Sequence, residues 1–295
     1  MRVFVTGATG FVGSAVVKDL IGAGHKVLGL VRSDANARAL AAAGGEVHRG
    51  ALEDIESLKS GAAACDGVIH TAFIHDFTKF AENGQVDKRA IEAMGAVLAG
   101  SDRPLIVTSG TAMVAPGRVA TEDMRAEGPA ASMRVSEQTA DAVAKQHGVR
   151  AMSIRLAPTV HGKGDHGFVP QMVNLARDKG MAVYVGDGTN RWTAVQRLDA
   201  AKLYRLALEK GKAGAIYHGV AEEGVAIKDI AAAIGKRLSV PVVSKTAEET
   251  QVLLGFIGMI MSLDIPASSA KTQQELGWKP TGPALLADLE EHYFA

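Results

Sequence analysis

Residues 3–13 have the sequence Val-Phe-Val-Thr-Gly-Ala-Thr-Gly-Phe-Val-Gly, in which an apolar run leads into three glycines. Gly7, Gly10 and Gly13 are each separated by two residues, and residues 14–20 continue with the apolar spacing of a helix. The segment therefore predicts a strand, a tight turn and a helix. A helix N-terminus presents unpaired N–H groups, and glycine lets a pyrophosphate approach the backbone. Because a strand and a helix flank the glycines, a dinucleotide-binding turn is favoured over a glycine-rich turn of another α/β protein.

The composition is typical of a globular protein and excludes several classes of partner. Of 295 residues, 47% are hydrophobic and 22% are charged, which suits one large α/β domain or a core with a smaller lobe. Basic and acidic residues are equal at 32 each, so neither nucleic acid nor an anionic membrane is expected as a partner. The single cysteine, Cys65, excludes an intrachain disulfide and a cysteine-rich metal site, and we expect no metal. Without a visible signal segment before Val3, a cytoplasmic location is expected.

The most apolar segment is residues 252–261, Val-Leu-Leu-Gly-Phe-Ile-Gly-Met-Ile-Met. It is shorter than the roughly 20 apolar residues that cross a membrane. We interpret it as a buried or substrate-facing helix, in which the methionines provide an adaptable apolar wall. The alternative is a surface between two copies of the chain in a homodimer.

Short apolar strands alternate with helices through the first half of the chain. The pattern predicts a parallel sheet covered on both faces, that is, a doubly wound α/β (Rossmann) fold with its ligand crevice at the carboxyl ends of the strands. The predicted strands are residues 3–6, 27–32, 46–49, 68–71, 105–108 and 151–156.

The alternation changes after Pro158. We predict a dinucleotide-binding domain over residues 1–160, to which residues 194–214 return. Residues 161–193 and 215–295 are predicted to form a smaller C-terminal α/β lobe. A second lobe of this type commonly supplies the pocket for a small-molecule substrate.

The residues predicted to bind the cofactor lie at or directly after the ends of the first, second, fourth and fifth strands. Arg32 ends the second strand, where an acidic residue binds the ribose of NAD and an arginine accommodates the 2′-phosphate of NADP. No acid precedes Asp34 there, so NADP is favoured and NAD is the alternative. Arg32 can also be a solvated arginine at the start of a loop, without a role in binding. The predicted contacts are Thr6, Gly7, Thr9, Gly10, Phe11, Val12, Gly13, Arg32, Ser33, Thr71, Ala72 and Thr108.

Several motifs occur in the order found in one enzyme family. Residues 6–13 match Thr-Gly-x-x-Gly-x-x-Gly, and residues 155–162 are similar to Arg-Pro-x-x-Val-Tyr-Gly, with His161 at the aromatic position. Further similar segments are residues 68–72, 105–109, 195–201 and 277–280. Together they resemble the extended short-chain dehydrogenases/reductases, the epimerase/dehydratase-like group, over nearly the whole chain. The resemblance implies a Rossmann fold and a nicotinamide dinucleotide cofactor.

The catalytic pair of that family is missing. The family carries Tyr-x-x-x-Lys on the long helix before the sixth strand, and the aligned positions hold Met133 and Glu137. A carbonyl that accepts hydride develops negative charge on its oxygen and needs a proton donor. Methionine cannot donate a proton, and a glutamate raises the pKa of an acidic neighbour. The resemblance thus implies an atypical member with the cofactor site but without the usual pair.

Other polar side chains are candidates for the chemistry. His75 lies beside an aspartate that can orient it as an acid, and Ser109 or Thr111 can bond a substrate oxygen or hold a water. Arg134 can stabilise developing negative charge. The resemblance implies that His161 faces the cofactor cleft, where it is a second candidate proton donor beside His75. Each candidate also has a structural interpretation, as a packed histidine, a turn cap or one half of a surface ion pair.

These features predict an NADP-dependent reductase or dehydrogenase acting on a small carbonyl or alcohol with apolar parts. A catalytically silent NADP-binding sensor or scaffold is the alternative, favoured by the loss of the Tyr/Lys pair. A nucleotide-sugar epimerase or dehydratase is less favoured. That chemistry also uses the tyrosine, and the second lobe shows no basic cluster for a diphosphate.

Overall fold

The structure, a computed structural model, describes residues 1–127 and 135–294. The strands are β1 (Arg2–Thr6), β2 (Lys26–Val31), β3 (Glu46–Arg49), β4 (Gly67–His70), β5 (Pro104–Gly110), β6 (Arg150–Leu156), β7 (Thr159–His161), β8 (Ala182–Val185), β9 (Arg191–Gln196), β10 (Ile216–Gly219), β11 (Glu222–Ala226) and β12 (Val242–Lys245). The helices are α1 (Phe11–Gly22), α2 (Asp34–Ala42), α3 (Ile55–Ala63), α4 (Phe80–Leu98), α5 (Ser136–His147), α6 (Phe168–Lys179), α7 (Arg197–Lys210), α8 (Ile227–Leu238), α9 (Ala247–Leu254), α10 (Phe256–Met261), α11 (Ala270–Leu276) and α12 (Leu285–His292). A short 3-10 helix spans Phe77–Lys79.

The main sheet has seven strands in the order β10-β6-β5-β4-β1-β2-β3, and the neighbours run parallel. The predicted doubly wound α/β fold is therefore confirmed. The chain runs outward from β1 through β2 to β3, and then returns to build β4, β5 and β6 on the other side. The order reverses between β1 and β4, and ligands of such sheets bind in the crevice at this point.

The first strand shows why a continuous apolar run forms the middle of this sheet. Val3 and Val5 belong to the core under α1 and α7, whereas Phe4 belongs to the core on the opposite face. All three side chains are fully buried. Successive side chains of a strand point to opposite faces, so a strand covered on both faces is apolar at every position.

A smaller lobe contains two further sheets, with strand orders β11-β9-β7 and β12-β8. Strand β10, which the sequence analysis places in this lobe, instead pairs with β6 at the edge of the main sheet. A four-residue strand carries no local signal for the sheet that it joins, since this depends on the partner strand. Helix α7 lies against α1, where Arg205 Nε donates to Asp19 Oδ2 at 2.6 Å.

Along the part of the chain that the structure describes, no helix has both the length and the apolar character needed to cross a membrane.

Candidate functional site

A cleft of about 1300 Å³ follows the carboxyl ends of β1, β2, β4, β5 and β6 and continues between the two lobes. The glycine turn lies on its wall, and Phe168 of α6 and Phe256 of α10 close it from the smaller lobe. The cleft thus occupies the place where the order of the main sheet reverses.

The glycine turn is built as the sequence predicts. Gly7 has φ +69° and accepts a hydrogen bond from Gly10 N at 2.9 Å. A Cβ on Gly13 would lie 2.0 Å from the Gly7 carbonyl oxygen, so α1 approaches β1 closely only with glycine here. Gly10 caps α1 without a side-chain hydrogen bond from the described residues. Phe11, Val12 and Gly13 at the start of α1 line the cleft, and the unpaired N–H groups of a helix start are suited to binding an anion.

The end of β2 is basic on the side that faces the cleft. Arg32 is exposed and lines the cleft together with Asn36. Asp34 forms an ion pair with Arg49. Ser33 caps α2, where its hydroxyl accepts from Asn36 N at 3.2 Å, and it lies outside the cleft lining of the described residues. Ser33 thus caps α2, and its predicted contact with the cofactor stays a prediction.

Thr6 also has a supporting position rather than a place on the cleft wall. Its side chain is fully buried, and Oγ1 lies 2.7 Å from His70 Nδ1 and accepts from Ala72 N at 3.3 Å. Thr71 and Ala72 line the cleft, and Thr71 Oγ1 donates to the Thr6 carbonyl at 2.7 Å. These bonds fix the end of β1 against the end of β4.

Behind them runs a buried chain of polar groups. His70 Nε2 lies 2.9 Å from Asp87 Oδ1 of α4, and Ser136 Oγ of α5 donates to Asp87 Oδ2. Thr108 lines the cleft, while its Oγ1 donates to the His70 carbonyl at 2.7 Å and lies 2.7 Å from the Tyr204 hydroxyl. The carboxyl edge of the sheet is therefore held by hydrogen bonds that reach α4, α5 and α7.

Two hydroxyls after β5 reach the cleft, as predicted. Ser109 and Thr111 are both buried and line the cleft. Thr111 Oγ1 lies 3.2 Å from the Thr193 hydroxyl, whereas Ser109 Oγ has no hydrogen-bond partner among the described residues. Ser109 is thus the hydroxyl that can bond a substrate oxygen without giving up a protein contact.

The candidate histidines differ in position. His75 is exposed and lines the cleft, with its ring 5.5 Å from that of Phe73. The neighbouring Asp76 accepts from the N–H and hydroxyl of Thr78. The hydrogen bonds from Thr78 lower the pKa of Asp76. Asp76 thus caps the 3-10 turn that follows His75.

His161 is not on the cleft wall formed by the described residues. Its ring is buried, and Nδ1 lies 2.7 Å from Asp288 Oδ2 of α12. The predicted role of His161 as a proton donor is therefore not supported. Strand β7 pairs with β9 in the small lobe, which takes this side chain away from the cofactor side. Arg134 and Met133 lie outside the described residues.

At the position of the family lysine, Glu137 is held by an arginine that sequence spacing did not identify as its partner. Arg155 Nε and Nη2 donate to the two carboxylate oxygens of Glu137 at 2.6 and 2.7 Å. Arg155 also donates to the Met124 carbonyl at 2.8 Å, and its Nη1 lies 3.1 Å from His218 Nε2. Burial lowers the pKa of His218 to about 4, so a neutral ring accepts from Arg155. The usual lysine is thus replaced by a structural ion pair.

The loop of residues 162–167 adds cleft residues that the sequence analysis missed. Asp165 and His166 line the cleft, and the His166 ring lies 5.9 Å from that of Phe11. The Arg197 guanidinium stands 5.1 Å from the centre of the Phe11 ring. Burial raises the pKa of Asp165, whose carboxylate accepts from the Tyr293 hydroxyl. The glycines of this loop indicate a turn, but not that it folds back over α1.

Within residues 1–127 and 135–294, no cluster of His, Cys, Asp and Glu side chains could hold a metal ion.

Comparison with known proteins gives matches over the whole chain. The model of the NAD dependent epimerase/dehydratase family matches residues 3–219. A protein of Schizosaccharomyces pombe described as uncharacterized is 53% identical over 296 residues, which is 100% of both chains. The 4-hydroxy-2-methyl-3-oxo-4-farnesyl-3,4-dihydroquinoline-1-oxide ketoreductase of Stigmatella aurantiaca is 27% identical over 227 residues, covering 74% of this chain and 67% of the relative.

Solved structures show the same fold. The dTDP-glucose 4,6-dehydratase of Streptomyces venezuelae, determined with NAD bound, has a TM-score of 0.79 and 21% sequence identity, covering 99% of this chain and 96% of that chain. At this identity the similarity concerns the fold alone.

Proposed function

The chain belongs to the NAD dependent epimerase/dehydratase family, and we propose that it is an NADP-dependent reductase of small carbonyl compounds that carry apolar groups. The observation that carries this proposal is the composition of the cleft. One part of the cleft is lined by Arg32 and by the glycine turn, whose helix start has no side-chain hydrogen bond. The hydroxyl of Ser109 and an aromatic wall line the same cleft. The ketoreductase name of the Stigmatella aurantiaca relative also supports a reductase.

The residues fit the proposed cofactor. The first N–H groups of α1 would hold the pyrophosphate, and Arg32 would face the 2′-phosphate. When bound, the dinucleotide supplies the hydride that adds to the carbonyl carbon. Ser109 Oγ would donate a hydrogen bond to the carbonyl oxygen, whose charge grows as the C=O bond opens. A proton from His75, or from a water held by Ser109 and Thr111, then completes the alcohol.

The catalytic proposal is tested by following the absorbance of NADPH with a series of aldehydes and ketones. We expect Ser109→Ala to lower kcat by about 100-fold at saturating cofactor. A similar loss in His75→Gln assigns the transferred proton to His75, and an unchanged kcat assigns it to the water. The matched control is His166→Gln, which changes another exposed cleft histidine but at the glycine turn and should leave kcat within about twofold. Absence of turnover with every carbonyl, despite tight cofactor binding, would contradict a reductase.

That outcome would favour a cofactor-binding sensor or scaffold, which is the second candidate. The specific observation for it is that Glu137, at the position of the family lysine, is paired with Arg155 and supplies no positive charge that would assist a proton donor. A partner protein whose binding differs between NADP and NADPH would then identify the sensor.

The choice of cofactor is tested separately. We expect NADPH to bind at least tenfold more tightly than NADH, because the cleft side of β2 presents Arg32 while Asp34 is bound to Arg49. Arg32→Ala should weaken NADPH binding by about 10- to 100-fold and leave NADH binding unchanged, as expected for the loss of a charged hydrogen bond. Arg38→Ala, in the same region but outside the described cleft lining, is the control. Equal affinities of the unchanged protein for both dinucleotides would overturn the preference.

A further inference from the structure

Four phenylalanines from four separate elements line the cleft. They are Phe73 after β4, Phe80 at the start of α4, Phe168 at the start of α6 and Phe256 at the start of α10. All four side chains are half-buried. The chain has eight phenylalanines, and with Phe11 five of them line this cleft. In a chain with 5% aromatic residues, this concentration gives the cleft an aromatic surface that can contact a bound ligand.

The rings form a continuous row, which we call the aromatic row (Phe73, Phe80, Phe256 and Phe168). Ring centres are 5.6 Å apart between Phe73 and Phe80, and 6.2 Å between Phe80 and Phe256, whose planes differ by 22°. Phe256 and Phe168 are 6.4 Å apart. These separations lie in the range of favourable aromatic pairs, about 4.5–7 Å. A flat unsaturated ring therefore finds matching partners along this wall.

Backbone features hold the row in place. Gly255 has φ +57° and separates α9 from α10, so that Phe256 begins a new helix. A Cβ on Gly258 would lie 2.0 Å from the Thr250 carbonyl oxygen, so the two helices pack too closely for any other residue. Behind the row, buried Trp192 lies 5.7 Å from Phe168 and its Nε1 donates to the Ile260 carbonyl at 3.3 Å. The wall is preorganised, which lowers the cost of binding.

Polar groups of the cleft border the aromatic row. At the end of the row stands His75, whose ring contacts Phe73 edge-on. Arg155 is committed to Glu137, and Arg32 follows β2 on the dinucleotide side. A row of four aromatic rings suits a planar aromatic group better than a sugar phosphate.

We propose that the cleft selects carbonyl compounds whose carbonyl group is attached to an aromatic ring, with the ring bound on the aromatic row. This inference rests on the proposed reductase function and names its substrate class. Saturated rings and chains of equal size bury similar apolar area, but they lack the ring electrostatics that favour offset and edge-to-face contacts.

The test compares benzaldehyde with cyclohexanecarbaldehyde, which have the same number of carbons. We expect kcat/KM to be at least tenfold higher for benzaldehyde, and Phe256→Leu to remove most of that ratio while the affinity for NADPH stays unchanged. Phe80→Leu is the second variant, in case Phe256→Leu does not fold. Phe294→Leu, a phenylalanine outside the described cleft lining, is the control and should preserve the ratio. Equal kcat/KM values for the two aldehydes would overturn the inference while leaving the reductase intact.

A binding experiment separates the two proposals. Benzyl alcohol and cyclohexylmethanol are titrated by calorimetry into the protein saturated with NADPH, where no reaction follows. At least tenfold tighter binding of benzyl alcohol, lost in Phe256→Leu, supports the aromatic row even if neither aldehyde is reduced. Equal binding of the two alcohols, or binding of neither, overturns it.

Discussion

At the residue scale, Gly13 is the position where adding a single methyl group should weaken cofactor binding most. In Gly13→Ala the new Cβ would lie 2.0 Å from the Gly7 oxygen and 2.9 Å from Thr71 Oγ1, so α1 must move away from the turn. We expect overpacking to lower the free energy of unfolding by about 1–3 kcal/mol and the affinity for NADPH to fall by about 100-fold, or roughly 2.8 kcal/mol.

The control is Gly22→Ala at the other end of α1, where a Cβ meets nothing within 4 Å. This change should leave the affinity unchanged and raise the free energy of unfolding by up to about 1 kcal/mol. Fluorescence titration of NADPH and urea unfolding measure the two quantities. Similar affinities for Gly13→Ala and Gly22→Ala would show that the glycine turn does not hold the dinucleotide.

His218 should make stability depend on pH. Burial lowers the pKa of His218 to about 4 in the folded protein, whereas the unfolded value is about 6.5. Between these values the unfolded chain binds the extra proton, so stability is complete above about pH 6.5 and falls as pH decreases towards 4. A shift of this size corresponds to about 3 kcal/mol in total.

Urea unfolding between pH 4.5 and 7.5 measures this slope. His218→Gln keeps a polar side chain beside Arg155 but does not titrate, so the difference in unfolding free energy between the two proteins should shrink at low pH. Carboxylates contribute to the pH dependence of both proteins and cancel in the comparison. A constant difference over this range would contradict a neutral buried His218.

At the element scale, two buried His–Asp pairs each join a strand to a helix, one pair in the main domain and one in the smaller lobe. His70 and Asp87 connect β4 with α4, and His161 and Asp288 connect β7 with α12. All four side chains are almost completely buried. Because Thr6 contacts the first pair directly before the glycine turn, only that pair should influence the cofactor.

Asp87→Asn and Asp288→Asn therefore form a matched comparison. Each replaces a buried acceptor by a group that also donates, and each should lower the free energy of unfolding by about 2–4 kcal/mol. NADPH affinity should fall about tenfold, or roughly 1.4 kcal/mol, in Asp87→Asn alone. An equal loss of affinity in both variants, measured by titration at a temperature where both are folded, would show a general effect of destabilisation.

The elements also show how far the sequence could predict the molecule. The main sheet and glycine turn follow from local patterns, since Val3 to Val5 are buried on both faces and Gly7 needs positive φ. The buried position of the His161 side chain could not be predicted, because it depends on the pairing of β7 with β9.

The contacts of the polar and aromatic residues in the site also could not be predicted from local sequence patterns. Arg155, which donates to Glu137, is 18 positions away on another element, and the aromatic row joins Phe73 to Phe256. Such contacts between distant segments are fixed by tertiary packing and leave no periodic signal in the chain.

At the scale of the whole molecule, residues 277–294 fasten the smaller lobe to the main sheet. Trp278 belongs to the core under α1 and α7, and its Nε1 donates to the Asp199 carbonyl at 2.9 Å. Leu285 and Leu289 belong to the core of the smaller lobe. Between them, Asp199 Oδ2 accepts from the N–H groups of Thr281 and Gly282 at 2.9 and 2.6 Å.

Asp199→Ala should therefore loosen the connection between the lobes. Losing a carboxylate that accepts two backbone bonds is expected to lower the free energy of unfolding by about 2–3 kcal/mol and to expose residues 279–284 to proteases. Lys202→Ala is the control, since Lys202 Nζ lies 3.4 Å from the other carboxylate oxygen and its half-exposed ion pair contributes at most about 1 kcal/mol. Urea unfolding and limited digestion with proteinase K, followed by mapping of cleavage within residues 279–284, measure both effects. If the two variants unfold and are cleaved alike, Asp199 does not fasten the lobes, and the shape of the cleft depends on the apolar cores alone.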